Sequence, residues 1–176
     1  RAIETGYRLI DTAYKYDNER GVGKGLRAGG VPREELSVTT KLNGEWHGFR
    51  ESQEAFAASA ERLGLDYVDM YLIHWPLPWQ DRYVEAWKGL AKLLEDGRVR
   101  AIGMSNFKPA HLDRLLAEAT IRPAVNQIQL NPRITRPDHV AYDHAHDIIT
   151  VAWSPLGQGG RSSTSPRVIQ GVPVSV

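Results

Sequence analysis

From Tyr67 to Pro76 (YVDMYLIHWP) the chain is almost continuously apolar, β-branched or aromatic. Val68, Met70, Leu72 and Ile73 suit a strand buried on both faces, as in a parallel sheet covered by helices. Pro76 stops such a strand because it has no amide hydrogen for the ladder. Further strands are predicted at Tyr7 to Ile10, Leu36 to Thr40, Val99 to Met104, Ala124 to Leu130 and Ile148 to Trp153. A helix is predicted from Asn18, as N-cap, to Ala28, with Gly29-Gly30 as its stop. A second runs from about Ser52 to Leu63 and closes at Gly64. Tyr83, Trp87, Leu90 and Leu94 form one face of a third, which ends at Gly97. Pro109 fits a first helical position, and Leu112, Leu115, Leu116 and Ala119 make that helix's buried face. A polar helix is expected around Asp138 to His146.

Strand and helix thus alternate six times, at about the repeat of a βα unit. No GxGxxG turn follows any strand, which removes the usual dinucleotide signature of a doubly wound sheet and favours a (β/α)8 barrel. Eight strands usually need about 250 residues, and this chain has 176. The expectation is an incomplete (β/α)8 TIM barrel over 1–160, with about six of eight units present. The chain opens at Arg1 inside what reads as a helix end, which suggests that something has been cut away. Residues 161–176, rich in Gly, Ser and Pro, read as an irregular tail, either a native linker or a stretch beyond a frameshift or truncation.

The apolar fraction of 41% is enough for a sizeable core. A net charge of +1 with scattered Lys and Arg gives no electrostatic case for nucleic acid or a membrane surface. The lack of cysteine excludes a disulfide framework and thiolate chemistry and fits a cytoplasmic protein.

In a parallel α/β barrel, chemistry sits at the C-terminal ends of the strands. There the pattern delivers Asp11, Lys41 and His74, with Tyr16 just beyond Asp11. These residues form a proton-donor set. A free tyrosine, with a pKa of about 10, is a weak acid near neutrality. An ammonium such as Lys41 is expected to lower that pKa, while Asp11 holds the lysine charged. His74 can donate to a carbonyl oxygen and set it against Tyr16. Each residue alone has an ordinary structural reading. The four in order at successive strand ends suit protonation of an alkoxide formed by hydride addition to an aldehyde or ketone.

Gly6 to Glu19 (GYRLIDTAYKYDNE), Thr39 to Leu42 (TTKL), Leu65 to Pro76 (LDYVDMYLIHWP), Gly97 to Phe107 (GRVRAIGMSNF), Val125 to Pro132 (VNQIQLNP) and Trp153 to Gln158 (WSPLGQ) together resemble the aldo-keto reductases. The bacterial branch around 2,5-diketo-gluconate reductase is the nearest in pattern. The resemblance implies a (β/α)8 barrel and NADPH-dependent reduction of aldehydes, ketones or keto sugars. It implies Asp11, Tyr16, Lys41 and His74 as a catalytic tetrad, and Ser105, Asn106 and Gln127 as holders of the nicotinamide carboxamide. It further implies Trp153 as the ring stacked on the nicotinamide, Ser154, Leu156 and Gln158 along the pyrophosphate, and Trp46 and Trp75 lining the substrate pocket. The full-length protein is expected to be a monomer. The family's opening hairpin and first strand do not appear before Arg1. Its last strand, outer helices and 2′-phosphate-reading segment do not appear after Gly160. A fragment with impaired activity is therefore expected, with two exposed sheet edges.

Two other classes compete. A nucleotide-binding regulatory subunit would keep the fold without turnover. A metal-dependent hydrolase would use His74 with His139, Asp143, His144 and His146, though a solvated helix face is the simpler reading of that group, and no metal is expected. Gly21 to Gly25 (GVGKG) lacks Walker spacing and reads as small residues in a closely packed helix.

Overall fold

The computed structural model describes residues 1–157. The expected tail at 161–176 lies outside them. Six strands follow one another as β1 (Leu9–Asp11), β2 (Ser37–Leu42), β3 (Val68–Ile73), β4 (Val99–Ser105), β5 (Val125–Gln129) and β6 (Ile149–Trp153). Between them lie α1 (Glu19–Ala28), α2 (Phe49–Leu63), α3 (Tyr83–Glu95), α4 (Pro109–Glu118) and α5 (Pro137–Ala145). All neighbouring strands are parallel, and their spatial order is their order in the chain.

The sheet is rolled. In a flat sheet β1 and β5 would stand roughly 19 Å apart at the usual inter-strand spacing. Instead Gln127 Nε2 of β5 donates to Asp11 Oδ2 of β1 at 2.7 Å. The architecture is an incomplete (β/α)8 barrel, as the six-fold alternation predicts. Alternation along each strand sends Tyr71, Ile73, Ile102 and Met104 into the layer between sheet and helices. There they pack with Phe56, Leu63, Trp87, Leu90, Leu112 and Leu115. The other face lines the lumen. On the outer strands it leaves apolar side chains in the open, Leu9 at 46% and Ile149 at 58% exposed.

Some boundaries shift for local reasons. β1 begins at Leu9, not Tyr7, because the Tyr7 amide is spent on Ala2 O in the preceding turn (3.1 Å). β2 runs on to Leu42, so Lys41 is a strand residue, in register with Leu72. α2 starts at Phe49, ahead of Ser52, and closes as expected at Gly64 in the left-handed region (φ 67°). Asn18 occupies the N-cap of α1 without capping it. Its Oδ1 instead accepts from Thr12 Oγ1 at 2.6 Å and ties the helix start to the end of β1.

The GVGKG stretch is an interior helical turn of α1 whose Gly23 lies against α2. A Cβ there would come within 2.0 Å of the Leu63 carbonyl oxygen, a backbone atom with little room to yield. Gly23→Ala is expected to destabilise the chain by about 1–3 kcal/mol despite alanine's better helix propensity. Urea titration checks this; an unchanged or raised midpoint would show that α1 and α2 can part without loss. Nearby, buried Glu19 ion-pairs with Arg62 (2.7 Å) and accepts from Thr40 Oγ1 (2.6 Å), joining α1, α2 and β2.

Candidate active site

The strand ends bring most of the expected residues to one place. A cavity of about 530 Å³ is lined by Asp11, Tyr16, His74 and Trp75 on one side and by Ser105, Asn106, Gln127, Trp153 and Ser154 on the other. Lys41, 1% exposed, lies beneath Asp11. Its ammonium pairs with the Asp11 carboxylate and donates to the Thr12 carbonyl (3.0 Å). Asp11 thus bridges Lys41 and Gln127, a use of Gln127 that its sequence motif does not announce. Tyr16 closes a single 3-10 turn after β1. Its ring meets the His74 imidazole edge-on, with centroids 5.7 Å apart, and lies 5.3 Å from Lys41 Nζ.

The titration of this cluster differs in one respect from expectation. The Tyr16 pKa is raised, first by burial and then by the Asp11 charge, instead of being lowered by Lys41. Burial also lowers the Lys41 pKa, although Asp11 opposes that shift. The His74 pKa falls to about 4 through burial and the Lys41 charge, so the ring is neutral at pH 7. Its Nδ1 is buried without a partner among the described residues. At neutral pH the site therefore holds a protonated phenol beside a neutral imidazole.

Asn106 ties the opposite wall together. Its backbone is left-handed (φ 65°). Its Nδ2 donates to the His74 carbonyl and to Ser105 Oγ (both 3.0 Å), and its Oδ1 accepts from Trp153 Nε1 (2.9 Å). Ser105 Oγ in turn donates to the Gln127 carbonyl at 2.9 Å. Three strand ends are joined through one amide, which no sequence period could reveal. Tyr7, Leu9 and Val151 also line the cavity. Stepping back by twos from Asp11 and Trp153 would have found them.

Two expected residues among the described ones are not brought here. Trp46 does not line the cavity; its ring lies edge-on to Tyr14 (centroids 6.4 Å) and packs on the core. The one-turn helix Gly44–Trp46 after β2 turns it away from the lumen. Leu156 is 87% exposed and outside the cavity lining. Gln158 lies outside the described residues. Among the described residues no group of three or more His, Asp or Glu is arranged to hold a metal ion. Asp143 is engaged by Asn126 and Thr150, and His146 stacks on Tyr142 (centroids 4.1 Å). Also among the described residues, no helix is long and apolar enough to cross a membrane.

The sequence profile of the Aldo/keto reductase family matches residues 1–170. The chain belongs to this family. It is 54% identical over 158 residues to an aldo-keto reductase of Mycolicibacterium vanbaalenii, covering 90% of this chain and 57% of that protein. It is 46% identical over 170 residues to methylglyoxal reductase DkgA of Escherichia coli, covering 97% of this chain and 61% of that protein. Among solved structures, the Bombyx mori aldo-keto reductase in complex with NADP superposes with a TM-score of 0.84 at 40% identity, over 94% of this chain and 59% of that one. The chain therefore spans about three fifths of the length of these aldo-keto reductases.

Proposed function

We propose that this chain carries the reducing site of an NADPH-dependent oxidoreductase that converts aldehydes, ketones or keto sugars to alcohols. The observation that carries the reading is the Tyr16–His74 pair facing Ser105, Gln127 and Trp153 across one cavity. That far wall suits a nicotinamide: an indole face for the ring, with a hydroxyl and two amides for its carboxamide. We assign the ring to Trp153, the carboxamide to Ser105, Asn106 and Gln127, and the adjoining phosphates to Ser154 with Leu156 and Gln158. When bound, NADPH supplies the hydride. Neutral His74 orients the carbonyl oxygen by donating a hydrogen bond to it. Tyr16 gives its proton to that oxygen as alkoxide character develops. An alkoxide is a far stronger base than a phenolate, so the transfer is downhill even from a phenol of raised pKa. Lys41, held by Asp11, is the positive charge near the phenolate left behind, while the Asp11 carboxylate itself opposes that phenolate. Trp75 forms an aromatic wall for the carbonyl compound.

The names of the DkgA relative and of the NADP-bound structure support the substrate class and the cofactor. Scattered charge gives no case for a nucleic-acid or membrane partner, and the lack of cysteine fits a cytoplasmic protein; we take the full-length protein to be a monomer. Among the described residues Leu9 and Ile149 are left exposed beside the lumen, and we expect turnover by residues 1–176 to be impaired. The test is carbonyl-dependent NADPH oxidation across a panel of aldehydes and diketones, alongside NADPH titration of tryptophan fluorescence. Saturable binding with slow turnover supports the reading. Binding without any turnover favours the regulatory-subunit alternative, and neither signal from a folded chain removes the proposal.

A further inference from the structure

Tyr16 sits in the loop 13–17, between Thr12 just past β1 and Asn18 just before α1. Its ring meets His74 and lies near Lys41, but among the described residues no hydrogen bond fixes its hydroxyl. The place of the phenol is therefore set by the backbone that carries it. That backbone is one 3-10 turn, in which the Tyr16 amide donates to the Ala13 carbonyl (3.1 Å) and the Asp17 amide to the Tyr14 carbonyl (3.3 Å). So short a turn is weak by itself. Asp17 follows in the left-handed region (φ 51°), which a residue with a side chain keeps only where its surroundings hold it.

The two ends of the loop are anchored separately. Thr12 is fully buried and fixed to β2, its amide donating to the Thr39 carbonyl (2.9 Å) and its carbonyl accepting from Lys41 Nζ (3.0 Å). Asn18 leads into α1 by accepting from the Val22 amide (2.9 Å), and Glu19 beside it is tied to Arg62 and Thr40. One bond joins the two anchors directly, from Thr12 Oγ1 to Asn18 Oδ1 (2.6 Å). Because the Asn18 side chain makes no capping bond to α1, that oxygen serves the loop alone.

We infer that Thr12 and Asn18 are positioning residues for Tyr16: their hydrogen bond closes the neck of the loop and holds the phenol against His74. The inference rests on the proposed reduction at Tyr16. A general acid displaced by about 1 Å can lose about 10²-fold in rate, so slight slackening of the loop registers in kcat. Neither Thr12 nor Asn18 lines the cavity, so binding there should be spared.

The test compares Thr12→Val, Asn18→Ala, the double variant and Thr12→Ser in the 176-residue chain, by amide hydrogen exchange and by turnover. In both single variants the Tyr16 and Asp17 amides are expected to exchange about three- to tenfold faster, the worth of one hydrogen bond. The Thr12 amide, bonded to β2, keeps its protection. The same variants are expected to lose about 10–100-fold in kcat, with KM for methylglyoxal and NADPH affinity, read by tryptophan fluorescence, unchanged. The double variant should be no worse than the poorer single one, because both remove the same bond. Thr12→Ser keeps the hydroxyl and should match the parent in rate and exchange. Asn18 is exposed, so its variant keeps the test sound if Thr12→Val perturbs the fold. Faster exchange in the variants of a chain that turns over no carbonyl keeps the latch and removes the reductase reading. The inference is overturned if the Tyr16 and Asp17 amides stay protected, if kcat is unchanged, or if kcat and NADPH affinity fall together.

Discussion

Tyr16→Phe is expected to reduce carbonyl-dependent NADPH oxidation by about 10²–10⁴-fold, the usual worth of a positioned general acid, while NADPH affinity stays unchanged. The substitution removes one oxygen and keeps the ring that lies against His74 and near Lys41. It should therefore leave the cavity's shape intact. His74 cannot take over, because a neutral imidazole is a much poorer proton source than its cation, and burial with the Lys41 charge keeps it neutral down to about pH 4. The pH profile gives a second check. The proposed reaction requires protonated Tyr16 and neutral His74, and the phenol's pKa lies above its ordinary value. The Tyr16 and His74 ionisations therefore predict no loss of kcat between about pH 5 and 9. A Phe variant that retains more than a tenth of the activity would assign the proton to another group.

Acidification from pH 7 to 4.5 is expected to remove several kcal/mol of folding stability. His47 and His74 are both buried, with pKa values pushed down to about 4. In the unfolded chain each takes a proton near pH 6.5, so below that pH the unfolded state binds more protons and gains. Stability is fully present above pH 6.5 and falls until the folded values near 4 are reached. Each histidine accounts for about 2–3 kcal/mol of that loss, at 1.36 kcal/mol per unit. Asp143 opposes them, since burial raises its pKa and the folded state takes up its proton first as pH falls. His47 makes the attribution testable. It is fully buried, and among the described residues neither ring nitrogen is hydrogen-bonded, so His47→Leu strands no partner there. The variant should match the parent at pH 7 and lose about half of the acid sensitivity in urea titrations. An unaltered pH dependence would place the effect elsewhere.

The fold was legible because its signals are local. YVDMYLIHWP announces β3 by its own composition, and Gly64 and Gly97 mark helix ends with backbone that other residues rarely adopt. The order of the strands followed from alternation, and the convergence of Asp11, Tyr16 and His74 from their places at strand ends. What escaped depends on neighbours distant in sequence. The expected effect of Lys41 on Tyr16 ignored burial and the opposing charge of Asp11, which only packing reveals. Trp46 is expected in the pocket only through the family resemblance, and here it packs on the core instead. The Asn106 amide links His74 and Trp153, 32 and 47 residues away in the chain, and nothing in SNF signals either partner.

The strands stand side by side in the order in which they are made. A chain leaving the ribosome N-terminus first can therefore complete each pairing with the segment just synthesised, closing only short loops at little entropic cost. Asp11 and Lys41 can meet as soon as the second strand is out. The other partner of Asp11, Gln127, arrives 116 residues after it. Asp11 thus waits through most of the described chain's synthesis for its second anchor, and the reactive geometry is among the last things the nascent barrel acquires.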